Sequence, residues 1–214
     1  MDEEITIINT NTRNEKIKNF FLDNKKNLII IISIIIITLI GYFSFNEIKK
    51  INKAKLADQF NSTVFSFKET KKEITINELK SIIYKKDTTY SPLALYFLID
   101  NNLIEDNEDI NILFDVLIDD TSLKKEVKNL VIYKKALFNS NNIDENELIK
   151  MLNPIINSDS IWRSHSLYLI AEFFYSKDEK QKSKELFNQI LELQNSNIDI
   201  KLKSQKRLNK DLSE

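Results

Sequence analysis

Cysteine is missing from all 214 residues, which excludes disulfides, thiolate metal sites and cysteine nucleophiles. Glycine is almost missing. The single copy, Gly41, lies inside an apolar run. The rest of the chain therefore has no glycine-rich phosphate loop, no dinucleotide fingerprint and no glycine-bearing calcium loop. With only two prolines, little interrupts helices. An excess of charge of either sign is also lacking. Lys and Arg number 31 against 32 Asp and Glu, a net charge of -1, which argues against nucleic acid as a partner. One histidine and no cysteine leave little from which to build a metal site or a catalytic set, so no cofactor and no enzyme activity are expected.

What is present begins with residues 28–45, LIIIISIIIITLIGYFSF, eighteen residues without a charge, with Lys25 and Lys26 before and Lys49 and Lys50 after. As a helix at ~1.5 Å per residue it spans roughly 27 Å, close to a hydrocarbon core of about 30 Å. Tyr42 and Phe45 stand near one end, where aromatic rings favour the interface. A core helix is rarely apolar all round. A cleavable signal would have a shorter run and a small-residue cleavage site, and none follows here. An uncleaved anchor is the expectation. Five basic residues before the span and four after it leave its orientation open on charge alone.

Past Asn46 the periodicity is helical. Leu56, Phe60, Val64 and Phe67 form one apolar face. Further helices are expected over 77–84, from Ser91 with Pro92 in the first turn, over 106–118, from a Thr121 cap to 139, from an Asp144 cap with a break at Pro154, and over 161–176, 179–193 and 199–212. Only the ITI of residues 74–76 hints at a strand.

The run 166–194, SLYLIAEFFYSKDEKQKSKELFNQILELQ, resembles a tetratricopeptide repeat. Ile170, Ala171 and Phe174 occupy the packing places of its first helix, and Ser183, Phe187 and Ile190 those of its second. Phe114 matches Phe187 in a weaker unit over 92–120, with Phe97 supporting it. Trp162 is read as a plug between repeats. The fold expected is all-α, a single N-terminal transmembrane helix followed by a tetratricopeptide-like repeat domain. On the repeat alignment His165, Tyr168, Glu172 and Tyr175 form one stripe facing a groove, a candidate partner surface. His165 has Ser164 and Ser166 as neighbours, but adjacent helical residues do not face each other, so no serine–histidine pair follows. Eight acids between Asp100 and Asp120 and seven lysines within 46–72 read most simply as solvated faces that attract one another.

Two linked features, IKNFFLDNKKNLIIIISIIIITLIGYFSFN and the array containing YSPLALYFLID and IWRSHSLYLIAEFFYSKDEKQKSKELF, resemble the YfgM-like family of ancillary subunits of the bacterial SecYEG translocon. Phe20, Phe21, Asp23 and Asn24 match its FF-x-[DE]-N element. Tyr90, Leu93 and Ala94 match the start of its first repeat, and Trp162, Arg163 and Glu172 a run near the third. The chain departs from the family in its glycines, notably at Asp178 in the turn of the third helix pair. The resemblance implies a cytoplasmic amphipathic segment (1–27), an inner-membrane span (28–45), linking and capping helices (46–89) and periplasmic repeats (90–214). It also implies association with SecYEG and a PpiD-type periplasmic chaperone, in receiving or handing on translocated proteins. A general inner-membrane scaffold for envelope or division proteins is the alternative, and a homo-oligomer fits either.

Overall fold

The structure is a computed structural model that describes residues 2–68 and 71–212, with side chains from residue 13 onward. The described residues are mostly helical, with no strand among them. Ten helices follow in order: α1 (Asp2–Asp23), α2 (Lys25–Phe65), α3 (Lys72–Tyr84), α4 (Tyr90–Asp100), α5 (Asn107–Asp119), α6 (Lys125–Asn139), α7 (Glu145–Ile156), α8 (Arg163–Ser176), α9 (Lys180–Glu192) and α10 (Ile198–Lys210). The chain divides into two compact units, residues 1–55 and 56–214.

The first unit holds α1 and the start of α2. Asn24 joins them. Its backbone and side-chain amides both donate to the Phe20 carbonyl at 3.0 Å, and its own carbonyl accepts from Leu28 N. The apolar run lies within α2, and none of its most apolar 18-residue window is buried by protein. A core helix with that composition would be covered. Ser33 and Thr38 turn their hydroxyls back to the carbonyls of Ile29 and Ile34 at 2.8 Å, which satisfies them without water. The helix is thus long and apolar enough to cross a membrane, and it presents an unbroken apolar surface.

The second unit opens with the end of α2, whose Leu56, Phe60 and Val64, with Phe67 beyond it, pack on a first core cluster. Leu79, Ile82 and Ile83 of α3, Leu95 and Leu98 of α4, and Leu113, Phe114 and Leu117 of α5 are its centre. A second cluster takes over from Ala136 of α6 through Leu148, Leu152 and Ile155 of α7 to Ile170 and Phe174 of α8. A third closes Leu167 and Ala171 of α8 against Phe187 and Ile190 of α9, Ile200 of α10 and Leu212. Successive clusters share helices, as in a stack of helical repeats where each layer touches only its neighbours. Polar contacts recur at one layer's separation. Lys86 meets Asp120, Lys125 meets Asp159 and Glu126 meets Ser160, each 34 residues apart, and Glu172 meets Arg207 at 35.

The expected ends hold in part. Asp106 and Asp144 cap α5 and α7, accepting from Glu108 N at 2.8 Å and Glu147 N at 2.9 Å. Ser91 is not a cap. The N-cap position is Thr89, and Asp87 before it accepts from the backbone of Thr89 and Tyr90 at 2.8 Å, while the buried Ser91 hydroxyl donates to the Ile82 carbonyl and ties α4 to α3. Nor does Thr121 cap α6. Its hydroxyl donates to the Val116 carbonyl and finishes α5, so α6 starts only at Lys125. Residues 74–76 form no strand; they lie in α3, with Thr75 buried. Pro154 lies inside α7 without interrupting it: the helix runs on to Ile156, although the proline has no N–H to give the Lys150 carbonyl. Asp178 adopts a φ of 62°, the left-handed conformation that glycine would take at no steric cost.

Candidate functional site

Helix α8 carries three stripes. Two are buried. Ile170 and Phe174 enter the second core, and Leu167 and Ala171 the third. The remaining stripe is His165, Tyr168, Glu172 and Tyr175, all half-buried. What half-buries its lower part is α10. Arg207 grips Glu172 through two bonds, Nε to Oε1 at 2.7 Å and a terminal nitrogen to Oε2 at 2.6 Å, and holds Asp211 at 2.9 Å. The same guanidinium lies 4.9 Å above the Tyr175 ring. The Tyr168 ring meets Phe187 edge-on at 5.4 Å. Three members of the predicted stripe are therefore engaged within the chain. The bonds to Glu172, then Asp211, drive the Arg207 pKa upward, and burial, then the Glu172 bond, raises that of Tyr168.

His165 stands apart, at the start of α8. Its ring lies 5.1 Å from Trp162 and 6.0 Å from Tyr133, which stacks on Trp162 with planes 18° apart. The Trp162 indole donates to the Glu126 carbonyl at 3.0 Å. The Glu126 carboxylate accepts from the Ser160 hydroxyl at 2.7 Å and from Ile161 N at 3.2 Å. The α6 start is in this way stitched to the α8 start. Ser164 is spent elsewhere, its hydroxyl accepting from Asn197 N at 3.2 Å.

Burial, then the nearby Lys203, pushes the His165 pKa below its usual 6.5. The folded state thus binds fewer protons than the unfolded one as pH falls through that value, so His165 contributes stability at neutral pH that is lost on acidification. We expect the unfolding free energy to fall between pH 7.5 and 5.5 by at most about 1.4 kcal/mol per pH unit, the limit for one proton. Because the chain has one histidine, this component should vanish in His165→Gln, compared by thermal unfolding at each pH.

The remaining sequence-predicted residues are packing groups in place. Phe114, Ala171, Ser183, Phe187 and Ile190 are fully enclosed, Ile170 and Phe174 nearly so, and Phe97 and Trp162 lie half-buried against the first and second cores. Four of the eight acids in the acidic stretch are paired with lysines inside the chain. Lys80 holds Asp109 at 2.9 Å, Lys86 holds Asp120 at 2.9 Å, Lys72 reaches Glu105 at 4.0 Å, and Lys135 pairs with Asp115. Of these lysines only Lys72 belongs to the basic stretch 46–72; α3, its C-terminal end and α6 supply the others.

Sequence reasoning missed Arg207, Tyr133 and Glu126. A signal existed for Arg207 and Glu126, which meet Glu172 and Ser160 at 35 and 34 residues; Tyr133 meets Trp162 off that period. It also missed a hollow of about 820 Å³ between α5, α6 and α7, floored by Ile118, Ile132 and Met151 and edged by Asp119, Glu147 and Lys150. No family model, no curated protein and no solved structure matches this chain.

Proposed function

We propose that the chain is a membrane-anchored protein–protein interaction module of the YfgM-like kind, without chemistry of its own. In this reading residues 28–45 span a bacterial inner membrane, the N-terminus is cytoplasmic and a tetratricopeptide-like domain is periplasmic. There it associates with the SecYEG translocon and a PpiD-type chaperone, and helps proteins leaving the translocon to be received or handed on. One observation carries it. The same polypeptide joins an uncovered apolar helix to helical layers whose polar contacts recur at 34 to 35 residues, against a tetratricopeptide period of about 34. The order of the FF-x-[DE]-N element, the span and the repeat motifs supports the finer assignment. The mechanism is tethering: an anchor confines the domain to the membrane surface, which raises its effective concentration toward emerging chains into the mM range. His165 and the edges of Tyr168 and Tyr175 remain available to a partner. Glu172 is committed to Arg207.

The test is affinity purification of the full-length protein from its native membrane in mild detergent, with mass spectrometry of what accompanies it. SecYEG and a periplasmic chaperone should co-purify, and a form lacking residues 1–45 tells whether the contact needs the anchor. Recovery of other envelope proteins with neither of these would overturn the translocon assignment in favour of a general scaffold.

A further inference from the structure

The starts of α6, α8 and α10 meet at one end of the second unit. Glu126 ties the first two through Ser160 and Ile161, and Asn197 N on Ser164 Oγ ties the last two. This end is both apolar and basic. Ile161, Ile198 and Leu202 are 63%, 75% and 64% exposed. The helical period explains why α10 exposes two of them. Ile200 and Ser204 point inward to the third core, and Ile198 and Leu202, two residues out of step, lie on the opposite side. Lys201 flanks that outer stripe on one side, with Lys203 and Lys206 on the other, all exposed.

The charge is unbalanced locally although the chain as a whole is near neutral. On α10 itself Lys201, Lys203, Lys206 and Lys210 stand against the single acid Asp199, Arg207 being held by Glu172 and Asp211. Lys124, Lys125 and Arg163 at the other two starts have Glu126 and Asp159 beside them, with Asp119, Asp120 and Glu192 at the ends of α5 and α9 that lead in. Glu126 is occupied by Ser160 and Ile161, and Asp159 by Lys125. Among the described residues, Lys124, Lys201, Lys203 and Lys206 have no acidic partner within 4.0 Å. Exposed aliphatic side chains ringed by long cations match an interface where alkyl groups enter the headgroup layer and ammonium groups stay at the phosphates.

We propose that this end of the helical unit docks on an anionic lipid surface, with Ile198, Leu202 and Ile161 entering the headgroup layer and Lys201, Lys203 and Lys206 binding lipid phosphates. The occupant is chosen on charge complementarity, and because the same chain carries a helix long and apolar enough to cross a bilayer, which supplies that surface at high effective concentration. The proposal rests on the helical unit and on α2 alone, and it stands whether or not the translocon assignment does.

Trp162, the only tryptophan, follows Ile161 directly and reports on this end. The full-length protein is reconstituted in nanodiscs of phosphatidylcholine, or of phosphatidylcholine with phosphatidylglycerol, each doped with acyl-brominated lipid. Trp162 fluorescence should be quenched in the anionic discs, less in the neutral ones, and less again as ionic strength rises. The triple change Lys201→Gln, Lys203→Gln, Lys206→Gln should weaken docking by about 100-fold, at roughly fivefold per lysine. Ile198→Ser with Leu202→Ser should relieve the quenching independently. All five positions are exposed, so far-UV circular dichroism should stay at wild type in both variants. Equal quenching in the two kinds of disc, or quenching that both variants leave unchanged, overturns the proposal. Loss of a co-purifying protein in the lysine variant with lipid quenching intact also overturns it, and assigns the patch to an acidic protein partner instead.

Discussion

Phe187→Ala destabilises the helical unit by about 3–5 kcal/mol, the largest loss expected from a single truncation in its C-terminal layers. The ring is fully enclosed and lies where three helices converge. Tyr168 meets it edge-on at 5.4 Å, and Ala171, Ile190, Ile200 and Leu212 share its cluster. Ala171 is the reason a ring fits. A methyl group on α8 leaves the depth that a phenyl on α9 fills, so truncation opens a cavity that no large neighbour on that side can close. Chemical unfolding of the detergent-solubilised full chain, followed by far-UV circular dichroism, measures the loss. Phe97→Ala is the comparison, because that ring is only half-buried on the first core and should cost less. Because layers couple only to neighbours, the damage should stay local, with α8 to α10 melting ahead of the first core. A loss below about 1 kcal/mol would mean that the third core collapses around the gap and that the Phe187 ring does not hold the three helices apart.

Phe187 was legible as a packing residue because its neighbours alternate with the helical period, and the same holds for Phe114. Helix starts were legible where an aspartate preceded an apolar period, as at Asp106 and Asp144, and the ends of α3, α6 and α8 fell at the expected Tyr84, Asn139 and Ser176. Ser91 and Thr121 carry equally good capping groups, but each had a better use. The Ser91 hydroxyl reaches a carbonyl of the preceding helix, and that of Thr121 closes the helix before it. Nothing local distinguishes a cap from a tie to a neighbouring element, since both use one short hydroxyl near a helix start. The ITI run failed for a related reason. β-branched residues favour strands only when a strand partner exists, and here Thr75 and Ile76 had the first core to pack on. In the candidate site, periodicity put His165, Tyr168, Glu172 and Tyr175 on one face of α8. It could not place Arg207, because that contact depends on how α10 returns across α8. The spacing of 35 residues was nonetheless in plain view, and a search for opposite charges one repeat apart would have found the pair. Glu172 and Arg207 then read first as a clasp between layers, and only secondarily as a surface.

Ile36→Arg, at the middle of the apolar run, tests the anchor itself. The run spans only about 27 Å as a helix against a hydrocarbon core of about 30 Å, so it has no surplus length with which to slide a charge outward. Ile36 is about 12 Å from Leu28 and about 14 Å from Phe45, farther than an arginine side chain reaches to the headgroups. Its neighbours give no shelter. No residue of the most apolar window is buried by protein, and the hydroxyls of Ser33 and Thr38 are already bonded to their own helix. An arginine at the centre of a span costs about 2.5–3.5 kcal/mol of insertion free energy, roughly a 100-fold shift toward the uninserted state. The variant should move from the alkali-resistant membrane fraction to the extractable one, while Ile36→Leu stays integral. Every core cluster of the helical unit is built from residues after Lys55, so the unfolding midpoint of that unit should be unchanged. That pairing makes the result decisive. Membrane release with an intact helical unit identifies α2 as the anchor. Wild-type alkali resistance in Ile36→Arg would show that the run does not cross the hydrocarbon, and the tethering mechanism would then lose its physical basis.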